Sequence, residues 1–203
     1  MNKKILVLRE NPPKTYKIAL EKAGLSYDCE FLPKDYSAYF GLLLIGGGDI
    51  LPAFYEKPVP SSDVNFIRDK AELSAIDYFF RRGLPILGIC RGAQILNVYF
   101  GGTLKTVENH RGEDGSFKTH FALSLCPSKL PDLTVNSNHV QAIDELGKNG
   151  KPLMKAEDGT IEAVEFSDSA IGVQFHPERL KDEISALFFG EFSKKVKGVR
   201  GRK

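Results

Sequence analysis

The chain has 203 residues, 42% hydrophobic and 27% charged, with a formal net charge of +2. At roughly 100–200 residues per domain this is one domain, and so ordinary a composition excludes disordered, collagenous and coiled-coil classes. Six of the ten residues from Lys194 to Lys203 are basic, so the remainder is mildly acidic and a protein-wide nucleic-acid footprint is excluded.

Taken in order, residues 4–8 form a continuous branched apolar run, the pattern of a strand buried on both faces of a parallel sheet. Helical spacing follows over 15–23, and Gly24 stands where a C-terminal cap belongs. A second strand is predicted at 27–32, and a third at 41–45 runs into Gly46-Gly47-Gly48-Asp49. Three prolines in 51–62 mark an excursion loop. Asp63 is then the predicted N-cap of a helix to Arg82, with Ile67, Ala71, Ala75, Ile76 and Phe79 as its buried stripe. Gly83 stops it, a fourth strand spans 85–89, and a helix covers about 92–100. This alternation predicts an α/β domain with a mostly parallel central sheet flanked by helices. The second half predicts added short, partly antiparallel strands at 119–126, 134–138, 152–156, 161–166 and 171–175, with Asp158-Gly159 as a hairpin-like turn. A last helix is expected over 182–195, burying Ile184, Leu187, Phe188 and Phe192. The expected organisation is one domain over 1–195 and a flexible basic tail over 196–203.

Cys29, Cys90 and Cys126 are odd in number and widely spaced, which fits neither a disulfide framework nor a zinc ribbon and points to a reducing compartment. The apolar run after Lys3 and Lys4 is too short for a signal-peptide core, and no stretch approaches the ~20 apolar residues of a membrane helix. A cytoplasmic protein, with neither nucleic acid nor membrane as partner, is expected.

Gly88-Ile89-Cys90-Arg91-Gly92 has the form of a nucleophile elbow with cysteine as nucleophile, at the end of a strand and the start of a helix. There the helix dipole and free N–H groups favour a thiolate, although a small buried hydrophobe is the competing reading of Cys90. A cysteine nucleophile needs a base and a group that orients it. His176-Pro177-Glu178 offers both, since residues i and i+2 of an extended segment share a face; a strand-end turn with a surface ion pair is the plainer alternative. The glycine run 46–48 reads as a phosphate cradle, a tight turn, or half of an oxyanion hole completed by the N–H of Arg91. Neither phosphate-loop fingerprint is present.

Together these segments resemble a class I glutamine amidotransferase domain, with its flavodoxin-like fold. More narrowly they resemble the γ-glutamyl-γ-aminobutyrate hydrolase branch, peptidase family C26. The narrower resemblance rests on 46–52, on Arg68-Asp69 with Glu72, and on 101–104, 135–142 and 158–165. One departure is Val140, where the branch usually has a second histidine; another is a short N-terminal segment.

The resemblance implies that Cys90 attacks a γ-glutamyl carbonyl, that His176 moves the proton and that Glu178 orients His176. The oxyanion would be held by the backbone of Gly47 and Arg91, with Gly46, Gly48, Gln94, Ser137 and His139 as substrate-binding positions. No metal or organic cofactor is implied. His139 could equally be structural, and Gln94 a helix-surface residue. His110 and His120 read better as surface histidines than as leaving-group contacts. Arg68, Asp69 and Glu72 fit an i,i+4 ion-pair set, or Arg68 meets a carboxylate at the pocket mouth. Cys29 and Cys126 read as core thiols. The expected function is hydrolysis of a small γ-glutamyl conjugate. The alternatives are a glutaminase subunit feeding ammonia to a separate synthase partner and, third, a non-catalytic binding protein. A homodimer is left open.

Overall fold

In the computed structural model, which describes residues 3–199, the apolar runs of the first half become neighbouring parallel strands. The elements are β1 (Lys4–Val7), α1 (Lys14–Lys22), β2 (Ser26–Cys29), β3 (Leu42–Leu44), α2 (Phe66–Arg81), β4 (Ile86–Ile89), α3 (Arg91–Tyr99) and β5 (Leu104–Thr106). There follow β6 (Lys118–Ser124), β7 (Leu133–Ser137), β8 (Gln141–Ile143), β9 (Lys151–Ala156), β10 (Ile161–Ser167), β11 (Ala170–Val173) and α4 (Asp182–Gly198). Nine strands form one sheet in the order β2-β1-β3-β4-β11-β10-β9-β6-β7. The first five are mutually parallel and the last four add on antiparallel.

Alternate residues of β1, β3 and β4 face opposite cores. Ile5, Val7, Leu43, Leu87 and Ile89 meet Phe188 and Phe192 of α4, while Leu6, Leu42, Leu44 and Ile86 meet Ala75, Ile76 and Phe79 of α2 and Ile95 and Leu96 of α3. Burying each Leu, Ile or Phe side chain contributes roughly 1.5–3 kcal/mol. The expected α/β class, with a parallel sheet extended by short antiparallel strands, is therefore observed. The paired strands β5 and β8, a separate two-stranded ribbon, were not expected.

Some local expectations are corrected. Asn65, not Asp63, caps α2: its side chain accepts from the Arg68 N–H, while the Asp63 carbonyl accepts from the Asp49 N–H. Ile67 is 60% exposed because Arg68, Asp69 and Glu72 take the inward positions of the first turns. Leu187 is likewise exposed, as Phe188, Phe189, Phe192 and Val196 fill the inner face of α4. That helix continues to Gly198 because Val196 is buried. Residues 200–203 of the basic tail lie outside the described residues. The second strand ends at Cys29, and Leu32 is exposed.

Candidate active site

Two adjacent parallel strands, β4 and β11, deliver the candidate catalytic groups to the same edge of the sheet. At the end of β4 the chain turns into α3 within one residue. Cys90 makes that turn with φ +53° and ψ −109°, a strained conformation for a residue with a Cβ, as an elbow demands. The turn brings the backbone of Gly92 against β3, where a Cβ would collide with the Leu44 carbonyl. Gly92→Ala is therefore expected to destabilise the fold by about 1–3 kcal/mol, read as a lower urea midpoint with unchanged slope.

His176 follows β11 and precedes a 3₁₀ turn at Pro177–Arg179. The extended geometry expected for 176–178 is corrected: the tight turn, not a strand, brings Glu178 back so that its Oε1 lies 2.8 Å from His176 Nδ1. Asn136 on β7 fixes the base from behind. Its Oδ1 accepts from the His176 N–H at 2.8 Å and its Nδ2 donates to the His176 carbonyl at 3.0 Å. Burial alone would depress the imidazole, but charge and hydrogen bonding from Cys90 and Glu178 outweigh it and push its pKa up to about 10. On the other side, Gln174 Nε2 approaches Cys90 Sγ at 3.7 Å. Gln174 Oε1 accepts in turn from Gln94 Nε2, which also donates to the Gln141 carbonyl.

The glycine loop closes the site. The Gly46 N–H donates to Tyr16 Oη at 3.1 Å, and the same oxygen is 3.5 Å from His176 Nδ1. Burial first, then the negative charge of Glu178, holds the Tyr16 hydroxyl well above its ordinary pKa, so it stays protonated. Arg68 Nη2 donates to the carbonyls of Ile45 and Gly46, at 2.8 and 3.1 Å. Because the Gly46–Gly47 peptide is trans, the Gly47 N–H points away from Arg68. A Cβ at Gly47 would strike the guanidinium. Among the described residues no acceptor is hydrogen-bonded to the N–H of Gly47 or of Arg91. The latter is a free donor of the first helical turn.

Beneath the loop the expected i,i+4 pair of Arg68 with Glu72 is present, but as part of a buried charge network that also takes in Arg91. Arg68 Nε donates to Glu72 Oε1 at 2.8 Å. The Arg91 side chain, 1% exposed, pairs with Glu72 Oε2 and Asp69 Oδ1. Asp69 Oδ2 accepts from the Leu51 N–H. Burial nonetheless raises the Asp69 carboxyl above its ordinary pKa, against the pull of Leu51 and Arg91. Arg68 is thus a backbone clamp, and it lines the neighbouring cleft on the other side of the glycine loop, not the one over Cys90.

A cleft of about 470 Å³ opens over Cys90, His176 and Glu178, with Gly46, Gly47, Gly48, Gln94 and His139 among its lining residues. Arg9, Arg111 and Arg179 supply positive charge to its walls, and Asp49 and Asp63 negative charge. Ser137 does not line it: its hydroxyl donates to the His110 carbonyl behind the wall. His139 donates Nδ1–H to the Gln141 carbonyl, and burial together with repulsion from His110 presses its pKa down to about 3. His110 is not a surface histidine but 4% exposed; His120 is half-buried. Cys29 and Cys126 are half-buried thiols packed against the core, away from the cleft. A larger cleft, about 650 Å³, lies between α4 and the sheet and contains none of these groups. No described helix is long and apolar enough to cross a membrane.

Tyr16, Asn136 and Gln174 are the site residues that motif reasoning passed over. Each acts through a contact between distant segments, and no local spacing marks them.

Residues 35–178 match the family model Peptidase C26. A Schizosaccharomyces pombe protein named for glutamine amidotransferases is 36% identical over 160 residues, covering 70% of this chain and 63% of its own. The γ-glutamyl-CDP-amidate hydrolase of Campylobacter jejuni is 33% identical over 156 residues, covering 76% of this chain and 70% of that one. The solved structure of a Thermoplasma acidophilum protein, described as one subunit of GMP synthase, superposes with a TM-score of 0.72 at 20% identity, covering 97% of this chain and 95% of that one. With the match spanning well over half of its residues, and with fold and relatives in agreement, the chain belongs to the peptidase C26 family of glutamine amidotransferase-like proteins.

Proposed function

We propose that this protein hydrolyses the amide bond of a small γ-glutamyl conjugate through Cys90, His176 and Glu178. The observation that carries the proposal is a strained elbow cysteine lining the same cleft as an imidazole that a buried carboxylate holds at 2.8 Å. The sulfur attacks the γ-carbonyl carbon, and the resulting oxyanion lies between the N–H groups of Gly47 and Arg91. Donors of this kind contribute about 3–4 kcal/mol each to the transition state. The imidazolium of His176 protonates the departing amine, leaving a γ-glutamyl thioester. Neutral His176 then takes a proton from water, whose oxygen displaces the thiolate and releases glutamate. Glu178 holds the ring's tautomer throughout. Gly46, Gly48, Gln94 and His139 meet the glutamyl group from the cleft wall, and no metal or organic cofactor takes part. The unpaired cysteines suit a reducing, cytoplasmic setting.

A hydrolytic relative supports this reading, the one named for a γ-glutamyl-CDP-amidate. A second reading, an ammonia-donating glutaminase subunit with a synthase partner, is favoured by the structural neighbour described as belonging to a synthase. Steady-state hydrolysis of glutamine and a panel of γ-glutamyl amides by the isolated protein separates the two. Efficient turnover of a conjugate, with glutamine poor, is expected. Weak glutaminase activity alone would favour the ammonia-donor reading.

The raised pKa of His176 gives a pH prediction. Glu178→Gln removes one of the interactions that stabilise the imidazolium, so the basic limb of the kcat/KM profile should move down by about 1–3 pH units. An unmoved limb would separate Glu178 from the base. The stability linkage has a defined sign, because the folded-state value lies above the ordinary 6.5. The contribution is complete below about 6.5 and is lost as pH rises through about 10.

A further inference from the structure

Behind the cleft wall, His110, His120 and Glu162 bring their ligand atoms within 4.8 Å of one another. They come from three segments: the loop after β5, strand β6 and strand β10. We propose that they form a binding site for a divalent transition ion, with Zn²⁺ as the best match. This is a structural site outside the proposed reaction.

The hydrogen bonds around these groups leave lone pairs that a cation would satisfy. Asp158 Oδ2 lies 2.9 Å from His110 Nε2 and already accepts from Thr160 Oγ1, while Oδ1 accepts from the Thr160 N–H. An ionised carboxylate only accepts, so Nε2 carries a proton, and in the neutral form of the ring Nδ1 is a bare lone pair. Ser137 Oγ is 3.2 Å from that nitrogen, but its hydrogen is given to the His110 carbonyl at 2.6 Å. In that form the Nδ1 lone pair has no donor, and it lies 3.8 Å from Glu162 Oε1.

Glu162 is 0% exposed and neither of its oxygens makes a hydrogen bond. His120 Nε2 lies 3.0 Å from Glu162 Oε1, out of line for a good hydrogen bond, so the two atoms meet either as an ion pair or around a shared cation. Close approach without donor geometry is how ligands sit around a shared cation. Metal bonds of 2.0–2.2 Å in a tetrahedron put ligand atoms about 3.4 Å apart; the two histidine–Glu162 separations are 3.0 and 3.8 Å, and all three ligand atoms lie within 4.8 Å of one another. Two imidazoles and a carboxylate suit zinc, and Asp158 behind His110 is the outer carboxylate that such histidines commonly have. The His120 side chain, 21% exposed, is the side of the site nearest solvent. The rival arrangement has His110 and His120 protonated as ion pairs with Glu162, and it takes up no metal.

An ion here would fasten the 107–117 loop, which presents Arg111 to the cleft and packs Phe117 edge-on against His176 at 5.2 Å between ring centres. The test uses full-length protein carrying Cys90→Ala, so that the thiol of the candidate active site cannot bind the probe. After chelator treatment, Zn²⁺ uptake is followed by equilibrium dialysis, and Co²⁺ by its visible ligand-field absorption. One equivalent of Zn²⁺ is expected, with a raised Tm and a Co²⁺ spectrum of nitrogen and oxygen ligands lacking thiolate charge transfer. Adding His120→Ala should weaken Zn²⁺ binding by at least about tenfold. No stoichiometric uptake, equal uptake by a folded His120→Ala variant, or a thiolate-type Co²⁺ spectrum would each overturn the site. The Co²⁺ spectrum decides the matter if the variant does not fold. None of these readouts depends on the hydrolase reading.

Discussion

Cys90→Ala is expected to lower kcat for the best γ-glutamyl amide by about 10⁴–10⁶-fold, with KM changed little. The substitution leaves the cleft wall and both candidate oxyanion donors in place, so substrate still binds. What is lost is the covalent route, and what remains is the modest catalysis that positioning and backbone donors supply to water. A sharper check is the double variant with His176→Ala. Groups that act as one unit are strongly non-additive, so the pair should be no slower than the slower single variant. Hydroxylamine trapping should yield the γ-glutamyl hydroxamate from the wild type and none from Cys90→Ala. Retention of activity within tenfold in Cys90→Ala would sink the mechanism.

Glu72→Ala should have the largest effect on stability. Glu72 is fully buried and is the shared acceptor of two buried guanidiniums, Arg68 and Arg91. Removing it leaves two cations in low dielectric with only Asp69 and backbone carbonyls as partners, at a cost of about 3–5 kcal/mol. That is a large fraction of the 5–15 kcal/mol typical of a whole domain. Arg68 grips the carbonyls beside the glycine loop, and Arg91 carries the N–H after the nucleophile, so the network also sets the spacing of the candidate oxyanion donors. A shift of about 1 Å there costs on the order of 100-fold in rate. Urea unfolding and kcat measured on the folded fraction separate the two effects. Stability within 1 kcal/mol of wild type would mean that the network is hydrated and not dry.

The centre of the sheet's parallel half was legible because β3 and β4, and β1 after Lys4, are apolar throughout. A run such as Leu42–Leu44 has no polar side to turn to water and must be covered on both faces. The elbow was legible because the tight strand-to-helix turn restricts which residues can flank Cys90. Ile67 and Leu187 were misplaced because periodicity gives the direction of a stripe but not where the facing sheet ends. Asp63 and Asn65 are both competent caps two residues apart, and only the loop contact of Asp63 with Asp49 decides between them. The pairing of β5 with β8 and the reach of Asn136 across to His176 depend on how distant segments dock. Arg91 was the least legible: a charged residue after the nucleophile suggests solvent, yet its partners lie 19 and 22 positions earlier.

Strand β11 lies at the centre of the nine-stranded sheet but comes last of the strands in the chain. On a ribosome, β4 and Cys90 emerge more than eighty residues before their neighbour does, and until then β4 presents an unpaired edge in the middle of the future sheet. The thiol is therefore synthesised long before the imidazole of the proposed site, so a growing chain lacks the proposed catalytic pair. Such sequence-distant pairing is slow to close, and the open central edge is the part of the nascent molecule that most needs protection from joining another chain. Any fragment ending before residue 170 should lack activity and also expose that edge to self-association.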